Sequence, residues 1–358
     1  MSPVPGTIEP LLAICVPTFN RASSLRNLFR SLGTVKARFG DEIEICISNN
    51  GSTDDTCNVI EEFARSYPVV VAHQKSNIGA TLNIIKVAGQ MSAHWGVWCG
   101  DDDEIDPDAV GRILLQLRVI PKNTWVLVDS AGSDGQGKYM QAFKEGTYEL
   151  SRFRRAMIRT GLGPFGFMGV HLFPRSALPS LMDIGVAARP WPPIICMLLF
   201  LARTDAKVYV LREIAIHQAK GGALLFWNAG DLARVLLARL HILAQADSVV
   251  TNARTFHRAL MFRELYTVSG IGLIMAWKLY EPADFDANAL RAYRDGWCRT
   301  GAWIPLALPH IVFTILLRAL PHYFLTLLFK VAGRGHFISR YAQRKQQLQD
   351  FDGIKRGL

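Results

Sequence analysis

Three consecutive carboxylates, Asp101-Asp102-Asp103, follow an apolar run containing Trp95, Val97 and Trp98 and precede a proline-led helix start at Pro107. The apolar run predicts a buried strand, and open α/β sheets bind ligands at the carboxyl ends of their strands. Neighbouring side chains of an extended chain point to opposite sides, so Asp101 and Asp103 can point the same way. Two hard oxygen donors on one sheet edge suit Mg²⁺ or Mn²⁺, the remaining coordination positions being filled by a diphosphate. The plainer alternative is an acidic turn in which Asp106 or Asp108 favours the positive end of the following helix.

The elements that must position this triplet are legible upstream. Leu11 to Val16 is a short, branched apolar run, the pattern of a buried parallel strand. It stops at Pro17-Thr18-Phe19-Asn20-Arg21, where Thr18, Asn20 and Ser23 can cap a helix whose apolar positions Leu25, Leu28, Phe29 and Leu32 recur at helical spacing. Ile43 to Ser48 predicts a second strand, ending in the polar turn Asn49-Asn50-Gly51-Ser52-Thr53-Asp54-Asp55-Thr56. A helix carrying Val59, Ile60 and Phe63 follows. Val69 to Ala72 predicts a third strand, then Lys75-Ser76-Asn77-Ile78-Gly79 and a helix through Asn83, Ile84 and Val87; Gly96 to Cys99 is the fourth strand. Strand and helix alternate, so the polar loops gather at one sheet edge.

Four stretches in order, Ala13 to Arg21, Ser48 to Thr56, Asn77-Ile78-Gly79 and Gly100 to Asp103, resemble the signature of family 2 glycosyltransferases of GT-A fold, in particular the abequosyltransferase-like branch of bacterial surface polysaccharide synthesis. The resemblance covers roughly residues 10 to 120. It implies an α/β nucleotide-diphospho-sugar transferase fold, a mostly parallel sheet flanked by helices. It further implies that Pro17, Thr18, Asn20 and Arg21 line the nucleotide pocket, with Gly51 and Ser52 beside it and Asn50 against the base. Asn77, Gly79 and Asn83 would face the donor, Asp101 and Asp102 would hold ribose and diphosphate, and Asp101 and Asp103 would hold Mn²⁺ or Mg²⁺. A divalent ion that neutralises a departing diphosphate is the largest single aid such a reaction can have. Lys75 could add positive charge, or serve as a solvated surface lysine.

Two departures from the family pattern carry consequences. Many relatives place aspartate where this chain has Asn49 and Asn50; an asparagine both donates and accepts, which leaves CDP, UDP and dTDP sugars open. Relatives also place a Glu-Asp pair, the acceptor's base, where this chain reads Arg189-Pro190-Trp191-Pro192-Pro193. Asp183 is the nearest upstream carboxylate and the substitute base, against an ordinary helix-end role. The glycine- and aromatic-rich stretch Gly161 to Arg175 suggests close approach of a sugar or backbone. By resemblance it is the acceptor side, where His171 and Trp191 would contact substrate; a core role for His171 is the alternative. Lys207 to Ile216 predicts a closing pair of short strands that delivers His217, a further metal or diphosphate ligand by resemblance, and Lys220 beside Gly221-Gly222 could cradle phosphate.

From Trp227 onward the pattern is helical, with one amphipathic helix through Leu232, Leu236 and Leu243 and another through Ala259, Phe262, Leu265 and Tyr266. Residues 304–332 are the most apolar part, but Arg318 and three prolines interrupt them, short of the roughly 20 continuous apolar residues of a spanning helix. Helices lying in the interface, followed by a basic tail containing Arg334, Arg340, Arg344, Lys345, Lys355 and Arg356, fit better, with a tilted or re-entrant span or a buried hairpin as alternatives. The chain so divides into a tail (1–10), a transferase domain (11–222), a helical extension (223–300) and membrane-associating helices with the basic tail (301–358).

Composition agrees with that organisation. A net charge of +10, a pI near 9.4 and a mean hydropathy of +0.15 with 50% hydrophobic residues point to an acidic partner and a membrane-associated enzyme. No RNP-like aromatic run, zinc-finger spacing or lysine-rich tail speaks for nucleic acid. Six scattered cysteines without a CxxC pair suit a reduced compartment, and Met1–Pro10 lacks the pattern of a signal peptide. The expected partners are a nucleotide-sugar donor, a polyprenyl-diphosphate-linked glycan acceptor and an anionic membrane surface. The expected location is the cytoplasmic face of the plasma membrane, peripheral or monotopic. Rival functions are a non-catalytic member of a polysaccharide assembly complex and a nucleotidyltransferase, for which Pro17 to Arg21 is a poor phosphate loop.

Overall fold

The computed structural model describes residues 9–131, 140–184, 192–217, 246 and 253–266 and the single positions 312, 316 and 324. The chain divides into two compact units, residues 1–220 with 241–263, and residues 221–240 with 264–358.

The first unit is built on one sheet. Strands β1 (Leu12–Thr18), β2 (Ile43–Asn49), β3 (Val70–His73) and β4 (Trp95–Trp98) form its first half, all parallel, in the order β3-β2-β1-β4. β1 and β2 are nearly continuous runs of buried residues because helices cover both faces. The second half contains β5 (Glu104–Ile105), β6 (Thr124–Ala131), β7 (Gly146–Tyr148), β8 (His171–Pro174) and β9 (Lys207–His217). Here the expected mostly parallel sheet is corrected. β8 lies antiparallel between β4 and β6, and β5 and β7 both pair antiparallel with β9, so the sheet is mixed. Short strands such as β5 are too brief to show alternation. The predicted closing pair over Lys207 to Ile216 is likewise one strand, β9, whose register against β6 shifts on both sides of Asp129.

Helix α1 (Ala22–Phe39) buries Leu25, Leu28, Phe29, Leu32 and Val35, the apolar stripe expected from its spacing. It ends where Gly40 adopts φ +53, and the Lys36 ammonium turns inward to donate to the Gly40 and Ile43 carbonyls at 2.9 and 2.7 Å. Helices α2 (Thr56–Ser66), α3 (Ala80–Ala88) and α4 (Pro107–Leu117) complete the first half. α4 starts as the sequence predicts, with Pro107 in the first turn and the Asp106 side chain accepting from the Asp108 N–H at 2.8 Å. Further on come α5 (Leu150–Thr160), α6 (Leu178–Ile184) and α7 (Pro192–Leu201), the last with all ten residues buried. A helix apolar on every side belongs inside a domain or a membrane. No described helix is both long and apolar enough to cross a membrane. Of the five described cysteines, all free, Cys15, Cys46, Cys99 and Cys196 are buried and Cys57 is partly exposed.

Candidate active site

The carboxyl ends of β1, β2, β3 and β4 carry the loops that the sequence singled out, and side chains stitch those loops together. Thr18, the last residue of β1, donates from Oγ1 to Asp101 Oδ2 at 2.8 Å, joining positions 83 apart in the chain. Asp103 folds back on its own turn, with Oδ2 accepting from the Gly100 N–H at 3.0 Å. A Cβ at Gly100 would lie 2.7 Å from that oxygen, so a larger residue there would displace the Asp103 carboxylate. Burial pushes Asp101 up to about 6, opposed by the Thr18 hydroxyl and assisted by the neighbouring Asp102 charge. His217 aligns with Glu104, the residue after Asp103, and with Ala131, which brings the end of β9 beside the aspartate loop. Among the described residues no group of three or more His, Cys, Asp or Glu is arranged to hold a metal ion.

The β1–α1 loop is held by the β2–α2 loop. Asn20 sits at φ +51, rare for a residue other than glycine. Its backbone N–H donates to Ser52 Oγ at 2.9 Å and its Oδ1 accepts from the Thr53 N–H at 2.8 Å. The next two backbone N–H groups donate to Thr56 Oγ1 at 3.0 Å, from Arg21, and to Asp54 Oδ2 at 3.3 Å, from Ala22. The capping expected from Thr18, Asn20 and Ser23 is therefore corrected: residue 21 makes no side-chain cap of its own, and Ser52, Asp54 and Thr56 cap α1 from another loop. Thr18 and Asn20 are instead engaged with Asp101 and Thr53.

Asparagines placed at the donor by sequence are bonded to one another. Asn50 Nδ2 donates to Asn77 Oδ1 at 3.0 Å, and Asn50 Oδ1 accepts from the Ile78 N–H at 2.9 Å. Asn77 Oδ1 also accepts from the Gly79 N–H at 2.8 Å. Gly51, at φ +71, passes so close to this second loop that a Cβ would lie 2.6 Å from the Ser76 carbonyl carbon. Asn83, placed at the donor by the sequence, is buried with its carboxamide engaged by Ser48 and Thr18; a polar side chain with that burial is held by its neighbours.

Residues to which the sequence reading gave no partner complete the edge. Asn49 accepts from the Ser52 N–H at 3.1 Å while its Nδ2 lies 3.0 Å from Cys57 Sγ and 3.3 Å from His73 Nδ1. Ser48 and Gln74 bond at 3.3 Å behind it. Spacing could not show the pairs of Asn49 with His73 and of Ser48 with Gln74, since these join different strands or loops.

On the acceptor side, His171 is corrected to a core residue. It is fully buried, its Nε2 lies 2.9 Å from the Phe165 carbonyl, and its ring meets Trp125 edge-on. Burial lowers it to about 4, the neutral form expected in an apolar site. Asp183 lies on α6 near its carboxyl end. Trp191 and Lys220 lie outside the described residues.

Residues 13–181 match the profile of the family described as Glycosyl transferase family 2. Abequosyltransferase RfbV of Salmonella typhimurium is 30% identical over 109 residues, which are 30% of this chain and 32% of that protein. Chondroitin synthase of Escherichia coli is 25% identical over 155 residues, 42% of this chain and 21% of that protein. The match spans about a third or less of these curated relatives. The crystal structure of S. aureus TarS 1-349 in complex with UDP superposes with a TM-score of 0.57 at 16% identity, covering 86% of this chain and 88% of that one. Mannosyltransferase PcManGT from Pyrobaculum calidifontis, in complex with GDP-Man and Mn²⁺, does so with a TM-score of 0.51 at 13% identity, covering 88% of each chain. Likeness at these identities is a likeness of fold.

Proposed function

Residues 13–181 belong to glycosyl transferase family 2, in its abequosyltransferase-like branch and with a GT-A-like fold, and from that premise we propose that the chain transfers a sugar from a nucleotide diphosphate donor to a lipid-linked oligosaccharide during surface polysaccharide synthesis. The observation that carries the reading is the bond from Thr18 to Asp101, which joins the first strand's loop to the aspartate run at the carboxyl edge. That edge is where an α/β sheet presents a ligand to loops from several strands.

The donor set suits a hard divalent ion. Asp101 and Asp103 supply carboxylate oxygens from one tight loop, and the desolvated Asp101 carboxylate would gain from a cation beside it. The ion when bound would neutralise charge developing on the departing diphosphate. Thr18 orients Asp101 by its hydroxyl, and the Asn50–Asn77 pair fixes the rim on which the nucleoside would rest. With Asn50 Oδ1 already accepting from Ile78, the free hydrogen of its amide is a donor, which supports keeping CDP sugars beside UDP and dTDP sugars.

Val312, Leu316 and Phe324 are helical positions 46, 62 and 42% exposed, and the sequence that follows them is basic. They support a peripheral or monotopic attachment to the cytoplasmic face of the plasma membrane, where a polyprenyl diphosphate would be met. The second reading, a non-catalytic component of an assembly complex, is favoured by the stretch Arg189 to Pro193, which contains no acid where, by resemblance, family members place the acceptor's base.

A thermal-shift series with Mn²⁺ and UDP, CDP, dTDP or GDP, with Asp103→Ala as control, tests the proposal. A metal-dependent rise with one nucleotide, absent in the variant, is the expected result. No rise with any of them, for folded protein, overturns donor binding. Turnover of the donor by the purified chain then separates the transferase from the non-catalytic reading.

A further inference from the structure

We propose that Asn83 is a positioning residue that fixes Thr18, and through it Asp101, without touching the donor; the inference rests on the transferase reading of this edge. Asn83 is 2% exposed on α3. Its Oδ1 accepts from Ser48 Oγ at 2.7 Å, and its Nδ2 donates to the Ser48 carbonyl at 3.0 Å and the Thr18 carbonyl at 3.4 Å. One carboxamide thus bridges the carboxyl ends of β1 and β2 at the point where both strands turn into the site.

Further bonds make that bridge directional. The Thr18 carbonyl also accepts from the Asn50 N–H at 2.9 Å, so the peptide at the end of β1 is held from two sides. With its backbone fixed, the 2% exposed Thr18 keeps its hydroxyl on Asp101. Behind Asn83, Ser48 Oγ accepts from Gln74 Nε2 at 3.3 Å, and Gln74 Oε1 accepts from the Lys86 ammonium at 2.9 Å. A continuous series of bonds so runs from a surface cation to the aspartate, and Asn83 is the member that reaches both strands. Buried polar networks of this type specify one arrangement, because each unmade bond leaves a desolvated group.

A double-mutant cycle in the full chain tests this, using Asn83→Ser, Thr18→Val, the pair, and Gln74→Ala. The readouts are the Mn²⁺-dependent dissociation constant for whichever of UDP, CDP, dTDP and GDP binds the wild type, and the melting temperature without ligand. If Asn83 acts through Thr18, each single change weakens the nucleotide by about fivefold and the pair is no weaker than the worse single, since coupled residues are not additive. Gln74→Ala, which leaves the Thr18 bond in place, stays within about twofold. Losses that multiply, or a lower melting temperature with unchanged affinity, overturn the inference. Should Asn83→Ser not fold, Ser48→Ala replaces it, and must weaken affinity in the wild type and not in Thr18→Val. If the wild type binds no nucleotide, the transferase reading fails by itself. The ligand-free melting temperatures then decide the inference: non-additive losses keep the link between Asn83 and Thr18, and additive losses break it.

Discussion

Asp101 sets stability against use. Its carboxyl ionises at about 6 in the folded chain and near 3.8 otherwise, so between those values the folded state holds a proton that the unfolded state has released. Stability without ligand therefore falls as pH rises from about 4 to about 6, and the full cost, up to about 3 kcal/mol, persists above that. Asp101→Asn is expected to raise the melting temperature at about pH 7.5 and to lose that advantage near pH 4, while abolishing any Mn²⁺-dependent nucleotide shift; melts at the two pH values check it. Gly51→Ala should cost about 2 kcal/mol or more in denaturant unfolding, because φ +71 and the Ser76 backbone both oppose a Cβ. Residue types in the site were legible from the sequence and their partners were not. Asn50, Asn77 and Asn83 stood in a recognisable order, yet nothing in that order says that Asn50 and Asn77 hold each other or that Asn83 is buried.

At the scale of elements, α1 is capped by residues more than thirty positions away. Thr56 Oγ1 accepts from the Arg21 N–H and lies 2.5 Å from Asp54 Oδ1, so Thr56→Ala removes a cap and a contact together. A loss of about 1–2 kcal/mol in unfolding free energy is expected, with Thr56→Ser recovering most of it. Burial alone would push the Asp54 carboxyl up, but its bonds to Thr56 and Ala22 outweigh this and hold it below its ordinary value. Its contribution is accordingly present above the ordinary carboxylate range and is lost as pH falls through it. The Pro107 start of α4 was legible because Asp106 caps its own helix; the α1 cap was not, since sequence spacing reports on neighbours in the chain alone.

At the scale of the molecule, the parallel half of the sheet was readable from four apolar runs, whereas the other half depends on pairings between distant short strands. The C-terminal region yields a prediction of its own. Binding to vesicles containing anionic lipid should be measurable by co-sedimentation and should fall steeply between about 0.05 and 0.5 M salt, as screening shortens the reach of a chain of net charge +10. The place of β8 has a consequence for synthesis. β4 is complete at Trp98, but its outer neighbour, His171–Pro174, is not yet made, and Phe173 is the ring that packs on Trp98 at 3.8 Å between centroids. Until the ribosome has released residue 174, the nascent chain carries an unpaired strand edge flanked by an indole, the combination that seeds intermolecular pairing. Fragments ending ahead of His171 should therefore aggregate on expression, and a chaperone that shields strand edges would be needed most during the time taken to translate the seventy or so residues between the two strands.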